Sequence, residues 1–132
     1  MAIQRSSKDT VYISKNKIYT SYFARACRMI PDRRLVSVSL STPKEFGGAF
    51  ARELNPTPMM IHNIKNNIIT PEEYEEAYRS EILSKLSPYV IANKYMGKVL
   101  CCWEKPEQFC HRHIILNWLA ERLEEDIVGG EV

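Results

Sequence analysis

The chain of 132 residues is long enough to fold as one domain with a buried core, and its 45% hydrophobic and 26% charged content is typical of a globular protein. No run approaches the roughly 20 apolar residues that span a bilayer, and residues 1–14 lack the apolar segment of a signal peptide. We therefore expect a cytoplasmic protein with no membrane partner, formed as a single domain over residues 1–132 with frayed ends at 1–10 and 129–132.

The net charge of +2 conceals an uneven distribution of charge along the chain. Residues 1–34 carry eight Lys or Arg and two Asp, which gives +6, whereas residues 121–132 carry five acidic residues and one Arg, which gives −4. Such polarity can steer an anionic partner, a nucleotide or a nucleic acid, to the basic part of the chain. Because the basic residues are not interleaved with aromatic ones, an unevenly charged but merely solvated surface is the alternative.

The first quarter of the chain predicts strands separated by a helix. β-Branched and aromatic residues predict a weak strand over residues 11–14 and the first core strand over residues 17–20. Ser21 is expected to cap a helix over residues 22–29. Residues 35–40 predict a second strand in which apolar residues alternate with serines. A central parallel strand usually hides both of its faces, so we expect these serines to line a cleft.

Three Thr-Pro pairs have the form of helix starts, with Thr as the N-cap and Pro at the first helical position. They are Thr42-Pro43, Thr57-Pro58 and Thr70-Pro71. The first and third have Glu three residues after the Thr, which completes a capping box. Gly47-Gly48 is expected to stop the first helix almost at once. The second is predicted to end near residue 65, and the third continues an apolar stripe with four-residue spacing as far as Leu86.

The last part of the chain predicts a short helix over residues 89–95, a third core strand over residues 98–103 and a final helix whose apolar stripe begins at Ile114. Strands alternating with helices predict an α/β protein, a single-domain three-layer fold with a mainly parallel sheet flanked by helices. In such sheets ligands bind at the carboxyl ends of the strands. The predicted strand ends bring the hydroxyls of Thr20, Ser41 and Thr42 to that edge.

The junction between the third strand and the last helix concentrates reactive side chains. Because side chains alternate along a strand, Cys101 and Trp103 are predicted to leave one face of the sheet, and Cys102 and Glu104 the other. Only one of the two adjacent cysteines can then face a site at this edge.

The start of the last helix contributes Cys110, His111 and Arg112. Unpaired N–H groups and the positive end of the helix dipole favour an anion or a thiolate at such a position. Arg112 adds a planar fork suited to a phosphate or sulfate group. The sequence therefore predicts an anion site here.

Four side chains at the junction admit three interpretations: Cys102, Cys110, His111 and His113. As zinc ligands they lack C-x-x-C spacing and need a fourth ligand, which Glu104 can supply. As a catalytic pair, Cys110 is the nucleophile and His111 its base. In the structural interpretation, Cys101 and Cys102 are small buried hydrophobes and His111 caps the helix, while Arg112 pairs with Glu104 or Glu107. A domain of this size and composition does not need disulfide bonds for stability, so we expect four reduced thiols. We also expect no metal and no cofactor.

Several established motifs are missing from the sequence. The five glycines form neither a dinucleotide fingerprint nor a P-loop, and H-E-x-x-H and G-x-S-x-G are also absent.

The segments Cys102-x-Glu104, Lys105-Pro106 and Phe109-Cys110-His111-Arg112 resemble the signature of the family called domain of unknown function 488. The resemblance covers most of the chain, from residues 18–20 through 54–56 and 70–78 to the helix at 114–119. It implies an α/β fold with the site at the signature, but no particular reaction. Many members of that family have Asp-Val-Arg on the second strand, where this chain has Ser37-Val38-Ser39.

The candidate site drawn from these patterns has a catalytic group and an anion-binding or substrate-binding group. The first comprises Cys102, Glu104, Cys110, His111 and Arg112, and the second Thr20, Ser41, Thr42 and Arg112. The leading hypothesis is an enzyme acting on a phosphate-bearing substrate, a nucleotide or nucleic acid. The alternative is a non-catalytic nucleic-acid- or anion-binding module that uses the basic N-terminal region.

Overall fold

A computed structural model describes residues 11–132. Within this range five strands form one parallel sheet in the order β3-β2-β4-β1-β5. The strands are β1 (Ile18–Tyr22), β2 (Leu35–Ser37), β3 (Ala49–Phe50), β4 (Val99–Cys102) and β5 (Val128–Glu131). The helices are α1 (Phe23–Met29), α2 (Pro58–Lys65), α3 (Pro71–Glu81), α4 (Pro88–Tyr95) and α5 (His111–Arg122). Helices cover both faces of the sheet, which confirms the predicted single-domain α/β fold.

The two faces of the sheet bury different parts of the chain. On one face α1 packs Phe23 and Ala26 against Tyr19, Val99 and Cys101. On the other face, side chains of α3, α4 and α5 form the larger core with alternate residues of the same strands, among them Ile18, Val36, Leu100, Tyr78, Ile91, Ile115 and Leu119. Each fully buried aliphatic or aromatic side chain contributes roughly 1.5–3 kcal/mol, so the two cores together hold the sheet in place.

Two of the three Thr-Pro pairs begin helices, as predicted. The Thr57 side chain accepts a bond from the Met60 N–H at the start of α2, and α2 ends at Lys65. At the start of α3, Thr70 and Glu73 form the reciprocal capping box. At Thr42-Pro43 the predicted helix start is wrong, because the Phe46 N–H bonds back to Pro43 in a turn. The expected stop at the glycine pair is confirmed, since no helix propagates beyond this turn.

The early strands differ from prediction in extent. Residues 11–14 form no strand, and β2 stops at Ser37, where the Ser39 N–H turns back to donate to the Ser37 hydroxyl. The short strand β3 was not predicted. Ser21 does not cap α1, because its hydroxyl donates to the Val132 carbonyl across the sheet edge.

The predicted fraying of residues 129–132 is wrong, whereas residues 1–10 lie outside the described part of the chain. Val128–Glu131 form β5, which pairs in parallel with β1. Gly129 makes this pairing possible, because a Cβ at that position would overlap the Tyr19 ring. The strand carries Glu131 to the edge of the sheet where the candidate site lies.

Candidate functional site

A cleft of about 470 Å³ opens beyond the carboxyl ends of β2 and β4. Its walls come from the segment after β2, from α2 and the start of α3, and from the loop between β4 and α5. The aromatic and aliphatic part of the lining includes Leu40, Ile61, Ile64, Ile69, Tyr74, Trp103 and Phe109. Its polar part includes Ser39, Ser41, Lys65, Asn67, Glu104 and Gln108, with Cys110 and His111 completing the lining. The cleft therefore lies where parallel α/β sheets bind ligands.

The loop over residues 103–109 brings the end of β4 and the start of α5 to one place. The Gln108 N–H donates to the Lys105 carbonyl at 3.0 Å, and the Gln108 side chain accepts from the Lys105 N–H at 3.0 Å. This closed turn returns the chain so that Cys110 becomes the N-cap of α5, beside Cys102. Two cysteines eight positions apart thus meet across the loop.

Cys102 and Cys110 are joined by a disulfide in this structure, with their Cα atoms 7.7 Å apart. The prediction of four reduced thiols is wrong for this pair, because the closed loop brings the two sulfurs into contact. Among the described residues Cys27 and Cys101 take no part in a disulfide. Cys101 points to the α1 face, as predicted from strand alternation.

His111 is buried and held in one orientation. Its Nε2 lies 2.6 Å from the Val38 carbonyl oxygen. Because a carbonyl only accepts, Nε2 must carry the proton, so the lone pair of Nδ1 faces the Cys110 sulfur at 3.8 Å. Burial lowers the pKa of His111 to about 4, and the nearby Arg112 acts in the same direction. The ring is therefore neutral near pH 7 and offers a lone pair to a proton or a metal ion.

Arg112 is fully buried and bonded to groups of the protein itself. Its Nε and Nη2 donate to the two Glu131 carboxylate oxygens at 3.1 and 2.7 Å. Its Nη1 donates to the Cys102 sulfur at 2.9 Å. The planar fork expected to bind a phosphate is thus occupied by Glu131, and a guanidinium with no exposed surface cannot reach a ligand in the cleft.

Glu131, which holds Arg112 behind the candidate site, was not predicted from the sequence. Besides the Arg112 fork, it accepts bonds from the Thr20 hydroxyl at 2.6 Å and from His113 at 3.2 Å. Burial by itself raises the pKa of Glu131, but the bonds from His113, Arg112 and Thr20 outweigh it and lower the pKa to about 2. The signal available in the sequence was a Val-Gly-Gly-Glu segment, whose glycines permit close strand pairing.

The remaining predicted residues divide between the cleft and its surroundings. Glu104 lines the cleft, and its Oε1 lies 3.6 Å from the Cys102 sulfur. Ser41 lines the cleft as well, and its hydroxyl accepts a bond from the Trp103 indole N–H at 3.1 Å. Neither Thr42 nor Thr20 is among the described residues that line the cleft, and the Thr20 hydroxyl donates to Glu131. The structure therefore brings together Cys102, Glu104, Cys110 and His111, with Arg112 behind them.

Three of these side chains could hold a metal ion. One ligand atom from each of Cys102, Cys110 and His111 lies within 4.8 Å of the others, and all three residues are buried. Two sulfurs and an imidazole nitrogen are a donor set that zinc prefers. The sequence analysis considered these residues together with His113, which the structure instead directs to Glu131.

Comparison with known proteins adds no further constraint: no family model matches the chain, and neither does any curated protein or solved structure. The resemblance to domain of unknown function 488 therefore stays a prediction. Across residues 11–132, none of the helices has the length and apolar character needed to cross a membrane.

Proposed function

We propose that the protein is an enzyme that acts on a small phosphate-bearing substrate of nucleotide size in the cleft, with Cys102, Glu104, Cys110 and His111 as its reacting groups. One observation carries this proposal: the Cys110 sulfur, the Glu104 carboxylate and the His111 imidazole converge at the wall of one cleft. Such convergence of a soft nucleophile or ligand with two proton acceptors is typical of catalytic sites.

The size and lining of the cleft support a substrate of this class. A volume of about 470 Å³ falls within the range of small-molecule sites, and a lining of aromatic rings with a few polar groups suits a planar base. Tyr74 and Phe109 pack edge to face at 5.1 Å, so this part of the wall is ordered before a ligand arrives.

Donors for a phosphate are also present in the lining. Lys65 supplies an ammonium group and Asn67 and Gln108 supply amides, while α5 begins at the cleft with the positive end of its dipole. Arg112 supports this proposal only indirectly, by holding Cys102 in place.

The proposal is tested by incubating the reduced protein with a panel of nucleotides and chromogenic phosphomonoesters and phosphodiesters. We expect at least one compound to be consumed, with the rate lost in Cys110→Ser and Glu104→Gln and kept in Cys27→Ser. Cys27 is a suitable control because it is a half-buried thiol on α1, away from the cleft. If the wild-type protein turns over no member of the panel, the proposal that its substrate carries a phosphate group is rejected.

A non-catalytic nucleic-acid- or anion-binding module is the second candidate. It is favoured by the placement of Arg33 and Lys98 just before β2 and β4, at the sheet edge opposite the cleft. An anionic polymer bound there would not need the reacting groups. Affinity carried by these cations should fall steeply as salt rises, because each phosphate contact releases counterions. Binding of single-stranded DNA that is insensitive to salt, or no binding at all, would exclude the module.

A further inference from the structure

We propose that the reduced forms of Cys102 and Cys110, together with His111, bind one divalent transition-metal ion of the zinc type. The binding site stands on its own geometry. Only the catalytic use of the ion rests on the proposed function.

The donor set and its burial are the first argument. The three ligand atoms lie within 4.8 Å of one another, so a single ion can contact all of them after small side-chain rotations. All three residues are buried, which excludes most competing water. Thiolate sulfur and neutral imidazole nitrogen select zinc over the oxygen-seeking calcium and magnesium ions.

The backbone spacing is the second argument. Disulfide-linked cysteines usually have Cα atoms about 4.4–6.8 Å apart. Here Cys102 and Cys110 hold their Cα atoms 7.7 Å apart, wider than that range. Two thiolates on a tetrahedral zinc ion, each bonded at about 2.3 Å, have sulfurs about 3.8 Å apart. The strand end and the helix start are thus spaced better for a shared ion than for a direct sulfur–sulfur bond.

The groups behind the ligands are the third argument. His111 donates its other ring N–H to the Val38 carbonyl, which fixes the tautomer that a metal ligand needs. The Cys102 sulfur accepts a bond from Arg112 Nη1 at 2.9 Å, which fixes the direction of this ligand. Glu131 in turn holds Arg112 by two bonds. Supporting partners of this kind orient the ligands of established zinc sites.

The position of the cluster indicates how the ion would be used. Cys110 and His111 line the cleft, so three protein ligands leave a fourth coordination position on that side for water. Glu104, beside Cys102, can accept a proton from this water. With the ion bound, the resulting hydroxide would add to the electrophilic phosphorus or carbon of the substrate as the bond to the leaving group breaks, and Glu104 would return the proton to the leaving group. The net reaction is hydrolysis.

The disulfide and the metal site are alternative states of the same sulfurs. Reduction of the Cys102–Cys110 bond by a dithiol takes up two electrons and two protons and gives two thiols. Binding of a divalent ion then releases both thiol protons. Peroxide reverses the first step, forming the disulfide and two molecules of water, so oxidation should expel the ion.

The test uses the full chain, reduced under anaerobic conditions and then supplied with zinc chloride or cobalt(II) chloride. We expect one equivalent of zinc by elemental analysis and, with cobalt, a near-ultraviolet band from thiolate-to-cobalt charge transfer. Protein oxidised with peroxide should bind neither ion.

Neighbouring residues provide matched controls. Cys102→Ala and His111→Gln should weaken binding by more than about a hundredfold, because loss of a direct ligand exceeds the effect of a supporting group. Cys101→Ala and His113→Gln should leave the stoichiometry unchanged, since the first faces α1 and the second bonds to Glu131. Circular dichroism and thermal unfolding confirm that each variant is folded.

Two outcomes would overturn the metal site: reduced, folded wild-type protein that binds neither ion, or binding that survives Cys102→Ala and His111→Gln. The result also separates this inference from the proposed function. If the protein binds one equivalent of zinc but turns over no phosphate ester, the metal site is supported and the proposed activity is rejected. Turnover that depends on Cys110 in metal-free protein retains the activity and rejects only the catalytic use of the ion.

Discussion

The two adjacent cysteines of β4 have very different surroundings, because they lie on opposite faces of the sheet. Cys101 lies against α1 among Phe23 and Ala26, where burial raises the pKa of its thiol strongly. Cys102 lies on the other face, within bonding distance of Cys110, Arg112 and Glu104. A thiol in the first setting is a small hydrophobe, and a thiol in the second is a ligand or a redox partner.

The two faces differ because a polar network surrounds Cys102, whereas apolar side chains surround Cys101. The core of the α1 face packs apolar side chains around Cys101, and the Arg112–Glu131 pair lies on the other face, behind Cys102. On the site face, the buried Arg112 guanidinium lies next to the Cys102 sulfur, and the Glu131 carboxylate binds that guanidinium.

Removing Glu131 should have the largest effect on the free energy of unfolding. Glu131→Ala leaves the Arg112 guanidinium, whose side chain has 0% exposure, without its carboxylate. We expect a loss of about 3–5 kcal/mol, the range found when a buried ion pair is broken on one side. Urea denaturation checks it, with Glu125→Ala as the control because Glu125 is exposed. Equal stability of the two variants would show that Arg112 does not need its partner.

The second prediction compares the two faces through thiol reactivity. In reduced, metal-free protein, Cys110 should react with iodoacetamide at least about tenfold faster than Cys101 near neutral pH. The reason is that Cys110 lines the cleft beside the His111 lone pair, whereas Cys101 is sealed beneath α1. Peptide mass spectrometry over time gives both rates. Comparable rates would mean that the cleft does not admit small molecules.

The third prediction is a pH dependence that comes from Glu131. Its pKa in the folded protein is about 2, below the ordinary 4.5, so between these values the unfolded chain binds more protons. The stability that Glu131 contributes is therefore complete above about pH 4.5 and is lost as the pH falls toward about 2. Unfolding midpoints measured across this window should fall less in Glu131→Gln than in the wild-type protein. Parallel curves would assign the acid sensitivity to other carboxyl groups.

The smallest effect concerns the helix that supports one wall of the cleft. Thr70→Ala removes the capping box of α3 and should cost about 1 kcal/mol. Thr42→Ala is the matched control, because Thr42-Pro43 begins no helix, and its effect should stay within about 0.5 kcal/mol. Thermal unfolding of both variants measures the difference. A larger loss at Thr42 would indicate that the turn after β2 carries stability that its contacts do not suggest.

Local signals explain how much of this could be predicted from the sequence. The starts of α2 and α3 follow from Thr-Pro pairs, because capping depends on residues within one turn. The opposite directions of Cys101 and Cys102 follow from strand alternation alone. The gathering of Cys102, Cys110 and His111 was also within reach, since a strand end and the next helix start must be close in a parallel sheet.

Partners distant in sequence could not be predicted in the same way. Nothing near Arg112 in the chain indicates that its fork is satisfied by Glu131, which β5 delivers from nineteen positions later. The Val38 carbonyl that orients His111 is 73 positions earlier. Such pairings depend on the order of strands in the sheet, and one-dimensional spacing does not encode that order.

The order of strands also has a kinetic consequence. Only β2 and β3 are neighbours both in the chain and in the sheet, whereas β1 must wait for β4 and β5, as in the pairing of Tyr19 with Val99. Parallel pairings across such long loops lose chain entropy before they gain contacts, and they slow folding. The pairing of β1 with β5 also brings Glu131 to the Thr20 hydroxyl and to Arg112. A partly folded chain would therefore lack the carboxylate behind Arg112, and the polar network of the site would be complete only when the last strand has docked.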